Sequence, residues 1–484
     1  MPESVVQRLR LHAGASPDAR ALRWRKSQWT YGQLWTAATG VRALLRARGI
    51  RPSQRVGLLF RSSPQYVASY YGVLAAGCVA VPLNALERAP VWDRQLQHCD
   101  CPLVLCEASH PEIAALRMLL EARGVALVPI TANDGPTAAD DWIALMRSGD
   151  DAPEDALPAS QGLALIIYTS GTTGQPKGVM LSHANLTANI TAICSYLHLS
   201  RDDRTLCVLP FHFSYGNSVL QTHLWVGAEI VIEDNLAFPQ LTLQALQAVR
   251  ATGFSGVPST FALLLGRCNM AEYDLGALRY VTQAGGAMPQ ALIGRLRAQL
   301  PHAKLYIMYG QTEATSRLTY LEPDQLAARP GSVGRPLQGI EIEVRDAAGR
   351  RLASGEIGEI CARGPNVMMG YWQNDSATAE VLRDGWLHTG DTGHFDGDGY
   401  LYIDGRSVEM IKVGAFRVSP LEVEEVVARL PEVIEVAAVG VADELLGQAI
   451  KVVLVTRPDS TLTVQAVRAH CRAHLASYKV PKVV

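Results

Sequence analysis

The chain has 484 residues, several times the length of an ordinary domain, so about two to four structural units are expected. Its 44 Lys and Arg nearly cancel its 46 Asp and Glu, and a net charge of −2 leaves no global field for holding nucleic acid or an anionic membrane. Cysteine (9 residues) is too sparse for a disulfide scaffold, the N-terminus has no apolar signal core, and no run reaches the ~20 apolar residues of a membrane span, so a reducing cytoplasm is the expected compartment.

A helix-period segment from Tyr31 to Gly49 leads into an apolar strand at Arg55 to Phe60, then a helix at Pro64 to Gly77 and a strand at Val79 to Leu83. That alternation predicts an α/β body, a mainly parallel sheet covered by helices. It continues through apolar runs at Pro102 to Cys106, Ala126 to Ile130, Leu163 to Tyr168, Thr205 to Pro210, Glu229 to Glu233 and Tyr280 to Ala284. The acidic, proline-bearing run from Asp150 to Asp155 predicts a surface loop between two halves of one large domain. Beyond Gly331, short alternating segments at Ile340 to Arg345, Gly358 to Ala362 and Tyr400 to Ile403 predict a small antiparallel β unit. After Gly405, Leu421 to Leu430, Val433 to Val441, Ala449 to Thr456 and Val464 to His474 read as helix, strand, strand, helix, a separate small α+β lobe.

The stretch Tyr168-Thr-Ser-Gly-Thr-Thr-Gly-Gln-Pro-Lys177-Gly carries the most specific chemistry. Glycines 171, 174 and 178 let backbone amides turn towards a ligand, the hydroxyls of Thr169, Ser170, Thr172 and Thr173 add donors, and Lys177 brings a positive charge. Polyphosphate is the natural ligand, although Gly does not directly precede Lys177 as it would in the Walker pattern. Cys99-Asp-Cys101, with His98 and Cys106 nearby, lacks the spacing of a zinc site and reads as small buried hydrophobes. The arginines at 42, 46 and 48 and at 295 and 297 are expected on solvated helix faces.

Further motifs follow in order: Leu209-Pro-Phe-His212-Phe, Gln283-Ala-Gly-Gly-Ala287, Met308-Tyr-Gly-Gln-Thr-Glu313, Leu387-His-Thr-Gly-Asp391, Asp404-Gly-Arg406 and Ile411-Lys-Val-Gly414. With the Lys177 loop, this set resembles the AMP-forming adenylating enzymes: acyl- and aryl-CoA synthetases, firefly luciferase and peptide-synthetase adenylation domains. The acyl-CoA synthetases are the nearest in kind. The resemblance implies a carboxylic acid activated by ATP and Mg²⁺ to acyl-AMP with release of pyrophosphate. The acyl group then passes to CoA or to the phosphopantetheine of a separate carrier protein. It implies a large domain over 1–403, a hinge over 404–409 and a mobile small lobe over 410–484, and a homodimer is compatible with it.

In residues, the resemblance puts the phosphates on Thr169, Ser170, Gly171, Thr172, Thr173, Gly174 and Lys177, and the adenine among Gly285, Gly286, Ala287, Met308, Tyr309, Gly310, Gln311 and Thr312. Asp391 and Arg406 would take the ribose, and Glu313 with Ser170 the metal. His212, Ser214, Asn217, Val257, Gly285, Met308 and Gly310 would line the acyl pocket, Lys412 and Gly414 the thiol side. Catalysis would rest on Lys177, His212, Glu313 and Arg406.

Two positions depart from the family pattern. Val408 stands where an Asp or Lys hinge residue is usual, and no Gly-Lys motif follows Tyr478-Lys-Val-Pro-Lys482, so a further terminal segment carrying the family's second lysine is expected beyond Val484. Between Leu209 and Ala228 there is no acidic residue to balance a substrate ammonium, which disfavours α-amino acids. Gly310 stands where acetate-type enzymes close the pocket with Trp, so a larger acid is expected, with Phe211, Phe213, Val257 and Met308 as apolar walls. The alternatives are a stand-alone amino- or β-amino-acid adenylating enzyme that loads a carrier, and a non-catalytic nucleotide-binding relative.

Overall fold

A computed structural model of the chain describes residues 4–131, 162–169, 176–234, 236–288, 290–406, 411–418, 420–456 and 460–484. The α/β expectation holds, and among the described residues the strands form three sheets. In the largest, Arg20–Trp24, Glu229–Ile232, Arg204–Cys207, Gly253–Gly256, Tyr280–Gln283 and Lys304–Tyr309 run parallel. At Thr319–Leu321 the pairing turns antiparallel and passes through Ser332–Pro336, Leu401–Arg406, Trp386–Phe395 and Gly358–Arg363 to Glu341–Arg345. The antiparallel unit expected beyond Gly331 therefore exists, but its strands hydrogen-bond onto the edge of the parallel sheet instead of standing apart.

The second sheet places Ala126–Ile130, Leu103–Glu107, Arg55–Leu59, Val79–Pro82 and Leu163–Thr169 in parallel and ends on the antiparallel pair Lys177–Ser182 and Gly370–Tyr371. Helices pack between the sheets for readable reasons. Thr30 and Gln33 form a reciprocal cap at the start of Tyr31–Ala47, whose Leu34, Ala38, Val41 and Leu45 are buried. Ser63 and Pro64 start Pro64–Ala75, which is buried along its whole length.

Two readings of individual residues resolve in opposite ways. Arg42 is buried rather than solvated, because the Tyr31–Ala47 helix is covered on more than its apolar stripe; Arg46, Arg48, Arg295 and Arg297 are exposed as expected. Cys99, Cys101 and Cys106 are buried in one apolar cluster with Leu96, Val104 and Leu116. The acidic run at 150–155 lies outside the described residues.

The small lobe has the expected order, helix Pro420–Val427, strands Val433–Asp443 and Gly447–Thr456, and helix Val464–His474. It adds a hairpin, Ile411–Val413 and Phe416–Val418, that pairs with Gly447–Thr456. Its separate core gathers Ile411, Val418, Val423, Val427, Val452, Val467 and Cys471. Among the described residues, no helix is long and apolar enough to cross a membrane.

Candidate active site

The sequence motifs converge at the carboxyl ends of the parallel strands, where open α/β sheets present their ligand crevices. Gly253–Gly256 ends at Val257, Tyr280–Gln283 runs into Ala284 to Ala287, Lys304–Tyr309 into Gly310 and Gln311, and Arg204–Cys207 into the His212 loop. That last loop is tied to the other half of the large domain. Ser62 Oγ accepts from the Phe211 amide at 3.2 Å and the Tyr66 hydroxyl donates to the Phe211 carbonyl at 3.1 Å.

Three cavities meet there. One of about 910 Å³ is bordered by Gly285, Gly286, Ala287, Met308, Tyr309, Gly310, Asp391 and Lys412. The Tyr309 hydroxyl donates to Asp391 Oδ2 at 2.7 Å, so an aromatic face and a buried carboxylate stand side by side. Gly285 has φ +85°, a left-handed conformation that favours glycine, and at Gly310 a Cβ would lie 2.1 Å from the Ser316 carbonyl oxygen. Backbone crowding, then, is what requires Gly310.

The second cavity, about 380 Å³, is lined by Thr169, Lys177, Phe213, Ser214, Val257, Gly285, Gly310, Thr312 and Glu313. Lys177 Nζ lies 5.0 Å from the Tyr371 ring centroid, and the Tyr371 hydroxyl donates to Glu313 Oε1 at 2.9 Å. Buried Asn366 fixes this arrangement: its Nδ2 donates to the Ala314 and Arg317 carbonyls at 3.1 and 2.8 Å, and its own carbonyl accepts from Thr315 Oγ1 at 2.6 Å. The third cavity, about 570 Å³, lies between the lobes and is lined by Thr169, His212, Phe213, Phe416, Tyr478 and Lys479. Arg417 lines all three.

His212 is buried, its ring 4.2 Å from that of Phe213, and its Nε2 has no hydrogen-bond partner among the described residues. Burial pulls its pKa down to about 3, so the imidazole is neutral near neutral pH. Ser214, Val257, Gly285 and Gly310 share the 380 Å³ cavity, whereas Met308 lines the 910 Å³ one and accepts from the Tyr196 hydroxyl at 3.0 Å. Asn217 lines none of the three and is buried near Tyr66 and Tyr70. Gln311 is buried beside the strand end. Arg406 sits opposite Asp391 in the antiparallel ladder. Ser170, Gly171, Thr172, Thr173, Gly174 and the hinge residues 407–409 lie outside the described residues. Gly414, φ +62°, approaches the large lobe at Ser259.

Sequence reasoning missed Tyr371, Asn366 and Arg417. A lone aromatic or amide carries no local signal, but Arg417 lies just past the quoted Ile411 to Gly414 motif and could have been found by extending it. Glu359, Cys361 and His388 present one cluster of metal-type ligands, with His388 Nδ1 at 2.7 Å from Glu359 Oε2 and 3.4 Å from Cys361 Sγ. Arg383 Nη2 reaches the same nitrogen at 2.6 Å and burial pushes the Cys361 thiol up to about 12, so the cluster is a protonated thiol beside an ion pair.

Two lobes meeting over strand ends, with a lysine, a carboxylate and a glycine-lined shelf on one crevice, define a nucleotide-dependent ligase architecture. Residues 9–372 match the AMP-binding enzyme model and 422–484 the AMP-binding enzyme C-terminal domain. The chain is 34% identical to the indoleacetate–CoA ligase of Aromatoleum aromaticum, over 98% of this chain and 92% of that one. It is equally similar to a feruloyl-CoA synthase of an Amycolatopsis species, with the same coverage. Among solved structures, a double mutant of o-succinylbenzoate CoA synthetase from Bacillus subtilis with its product analogue OSB-NCoA superposes with TM-score 0.86, at 26% identity over 98% and 93% of the two chains. The same enzyme with its acyl-adenylate intermediate OSB-AMP gives 0.72 at the same identity and coverage.

The chain belongs to the family of AMP-binding enzymes. It is an acid–thiol ligase of the AMP-forming acyl-CoA synthetase type, which activates a carboxylic acid with ATP to acyl-AMP and transfers the acyl group to CoA.

Proposed function

We propose that the acid is an aryl-bearing carboxylic acid of the arylacetate or arylacrylate kind, and that CoA rather than a carrier-bound phosphopantetheine is the acceptor. The observation that carries the first part is the 380 Å³ cavity, walled by Phe213, Tyr215 and Val257 and open towards Lys177 and Glu313. An aromatic ring fits such walls. The acids named for the two relatives, indoleacetate and ferulate, are both aromatic.

In the adenylation step the acid's carboxylate attacks the α-phosphorus of ATP and pyrophosphate leaves. Lys177 neutralises charge on the phosphoryl as it moves, with the Tyr371 ring holding the ammonium in place. Glu313 offers a hard oxygen facing the same cavity, so the residues fit Mg²⁺: Glu313 would hold it, and when bound it supplies further neutralisation on the phosphates. Tyr309 and the glycine shelf take the adenine, and Asp391 with Arg406 the ribose. In the second step the thiol attacks the acyl carbonyl and AMP leaves. His212, neutral and with Nε2 unpartnered among the described residues, accepts a hydrogen bond from the incoming thiol.

The small lobe turns about a hinge within 404–409 between the steps, and the higher similarity to the CoA-analogue complex than to the acyl-adenylate complex supports reading the present orientation as the thioester-forming one. In that orientation Gly414 stands on the thiol side, while Lys412 borders the cavity that takes the nucleotide. The test is an acid panel with CoA, thioester read by chromatography. Phenylacetic, indoleacetic and cinnamic acids should exceed acetate and β-alanine by at least tenfold in kcat/KM. Preference for acetate or an amino acid would overturn the reading, and faster transfer to a phosphopantetheinylated carrier than to CoA would overturn the acceptor.

A further inference from the structure

Lys479 ends the small lobe's Ser477–Lys479 turn and is buried, an uncommon state for a lysine. Its Nζ bonds Glu87 Oε1 of the large lobe and lies 2.8 Å from Glu422 Oε1 of its own lobe. Glu87, equally buried, also accepts from the Tyr478 hydroxyl at 3.0 Å, and that hydroxyl accepts from Asn84 Nδ2 at 2.8 Å. Burial alone would lower the Lys479 pKa, but the two carboxylates hold it above its ordinary value, so the ammonium stays charged.

The receiving side is rigid. Within the turn that carries Glu87, the Asn84 carbonyl accepts from the Glu87 amide at 3.0 Å and from Trp92 Nε1 at 2.8 Å, and the Ala85 carbonyl is bound by His110 Nε2 at 2.9 Å. The arriving side reaches the reaction centre through packed rings. Tyr478 stacks on Phe416 at 3.7 Å, Phe416 meets Phe213 edge-on at 5.6 Å, and Phe213 lies against His212.

We propose that Glu87 is a positioning residue for the thioester-forming step: it captures Lys479 and Tyr478 as the small lobe turns into the present orientation and so seats Phe416 against Phe213 beside His212. The proposal rests on the two-step reading above. A buried ammonium stripped of all partners would be prohibitive, and that would lock the lobe. Here Glu422 travels with Lys479, so leaving the orientation removes one partner and keeps the other. The cluster can release on every turnover.

Glu87→Gln keeps the side-chain shape and sits in the large lobe, so it leaves the small lobe's fold alone. Single-turnover transfer from pre-formed acyl-AMP to CoA should slow by about tenfold or more in Glu87→Gln and in Lys479→Met. The double variant should be no slower than the worse single, because both remove one interaction. Carboxylate-dependent pyrophosphate exchange should stay within twofold of wild type. A second readout needs no catalysis: nitroxides on Met118→Cys and Val464→Cys, with half-buried Cys194 and Cys268 changed to serine, report the lobe-to-lobe distance. Glu87→Gln should broaden or shift that distribution. Equal slowing of both half-reactions, additive singles, or an unchanged distribution would overturn the proposal. If wild-type chain exchanges pyrophosphate with no acid at all, the functional reading fails and the distances alone decide on Glu87.

Discussion

The crest of parallel strands in the large lobe and the hairpin face of the small lobe build the same site by different means. At the crest, backbone places the groups: four strand ends set Val257, Gly285, Gly310 and the His212 loop, and Asn366 pins the Glu313 turn with three hydrogen bonds. At the hairpin, side chains reaching across a gap place them: Phe416 on Phe213, and Lys479 and Tyr478 on Glu87. A surface needed in both half-reactions is preformed, and one needed in a single half-reaction is docked and released. Damage to the crest should therefore impair both steps or the fold, while damage to the docked face should divide the steps.

The sharpest break is Lys177→Ala. The ammonium matters most where negative charge moves during phosphoryl transfer, so adenylation should fall by about 10²- to 10³-fold while ATP binding weakens far less. Pyrophosphate exchange and equilibrium ATP binding, measured on the same variant, check this. Unchanged turnover would remove Lys177 from the mechanism.

Acid should loosen the two lobes in sequence. Burial lowers His183 and His223 to about 4 and His212 to about 3, and all three lie in the large lobe. Their stabilising neutral state is fully present above the unfolded value of 6.5, and is lost as pH falls towards those folded values because the unfolded chain takes up protons first. In the small lobe Asp443 is held below its ordinary 3.8, first by its bond with Lys482, so that contribution is lost only below about that pH. Tryptophan fluorescence and circular dichroism across pH 7 to 3 should show the large lobe's melting point falling first, with up to three protons taken up on unfolding. A melting point flat between pH 6.5 and 4.5 would show that these rings are hydrated or protonated when folded.

The same contrast explains what could be read from sequence. A phosphate loop needs fixed residue types at fixed spacing along one stretch, so the Lys177 segment stood out by itself, whereas Tyr309-Gly310 and Asp391 were picked out by the family resemblance. Periodicity also marked the strands that carry them. It misjudged Arg42, because a charged residue on a helix that is covered nearly all round looks the same in sequence as one facing water. The merging of the antiparallel unit with the main sheet depends on pairing between Ser332–Pro336 and Leu401–Arg406, far apart in the chain. The docked face was invisible for the same reason: Glu87 and Lys479 are 392 residues apart, and neither has a local pattern. Gly310 was read for pocket length, and the structure adds a second reason for glycine there, since the Ser316 backbone occupies the space its Cβ would need.

That reason gives a smaller break at the crest. Gly310→Ala should destabilise the large lobe by about 1–3 kcal/mol, because the added Cβ meets a backbone oxygen that cannot rotate away. Gly294→Ala, inside the helix Gln290–Gln299 with nothing within 4 Å of its Cβ, is the control, expected to be neutral or stabilising by about 0.5–1 kcal/mol. Denaturant unfolding of both measures the difference, and equal stability of the two variants would mean the Ser316 turn can yield.

The smallest expected effect tests how finely the crest is preformed. Among the described residues Tyr371 makes two contacts at this site: its ring faces the Lys177 ammonium and its hydroxyl donates to Glu313. Tyr371→Phe removes the second and keeps the first. If Glu313 holds Mg²⁺, losing a bond of about 0.5–1.5 kcal/mol that orients the carboxylate should raise the half-saturating Mg²⁺ by about 2- to 10-fold, with the rate at saturating Mg²⁺ little changed. Tyr371→Leu removes both contacts and should lower that saturating rate as well, because Lys177 then loses the face that holds it. Pyrophosphate exchange titrated with Mg²⁺ separates the two. A normal titration for Tyr371→Phe alongside a slowed Tyr371→Leu would assign the tyrosine's contribution to its ring, and would leave Glu313 oriented by its backbone turn and the Asn366 hydrogen bonds.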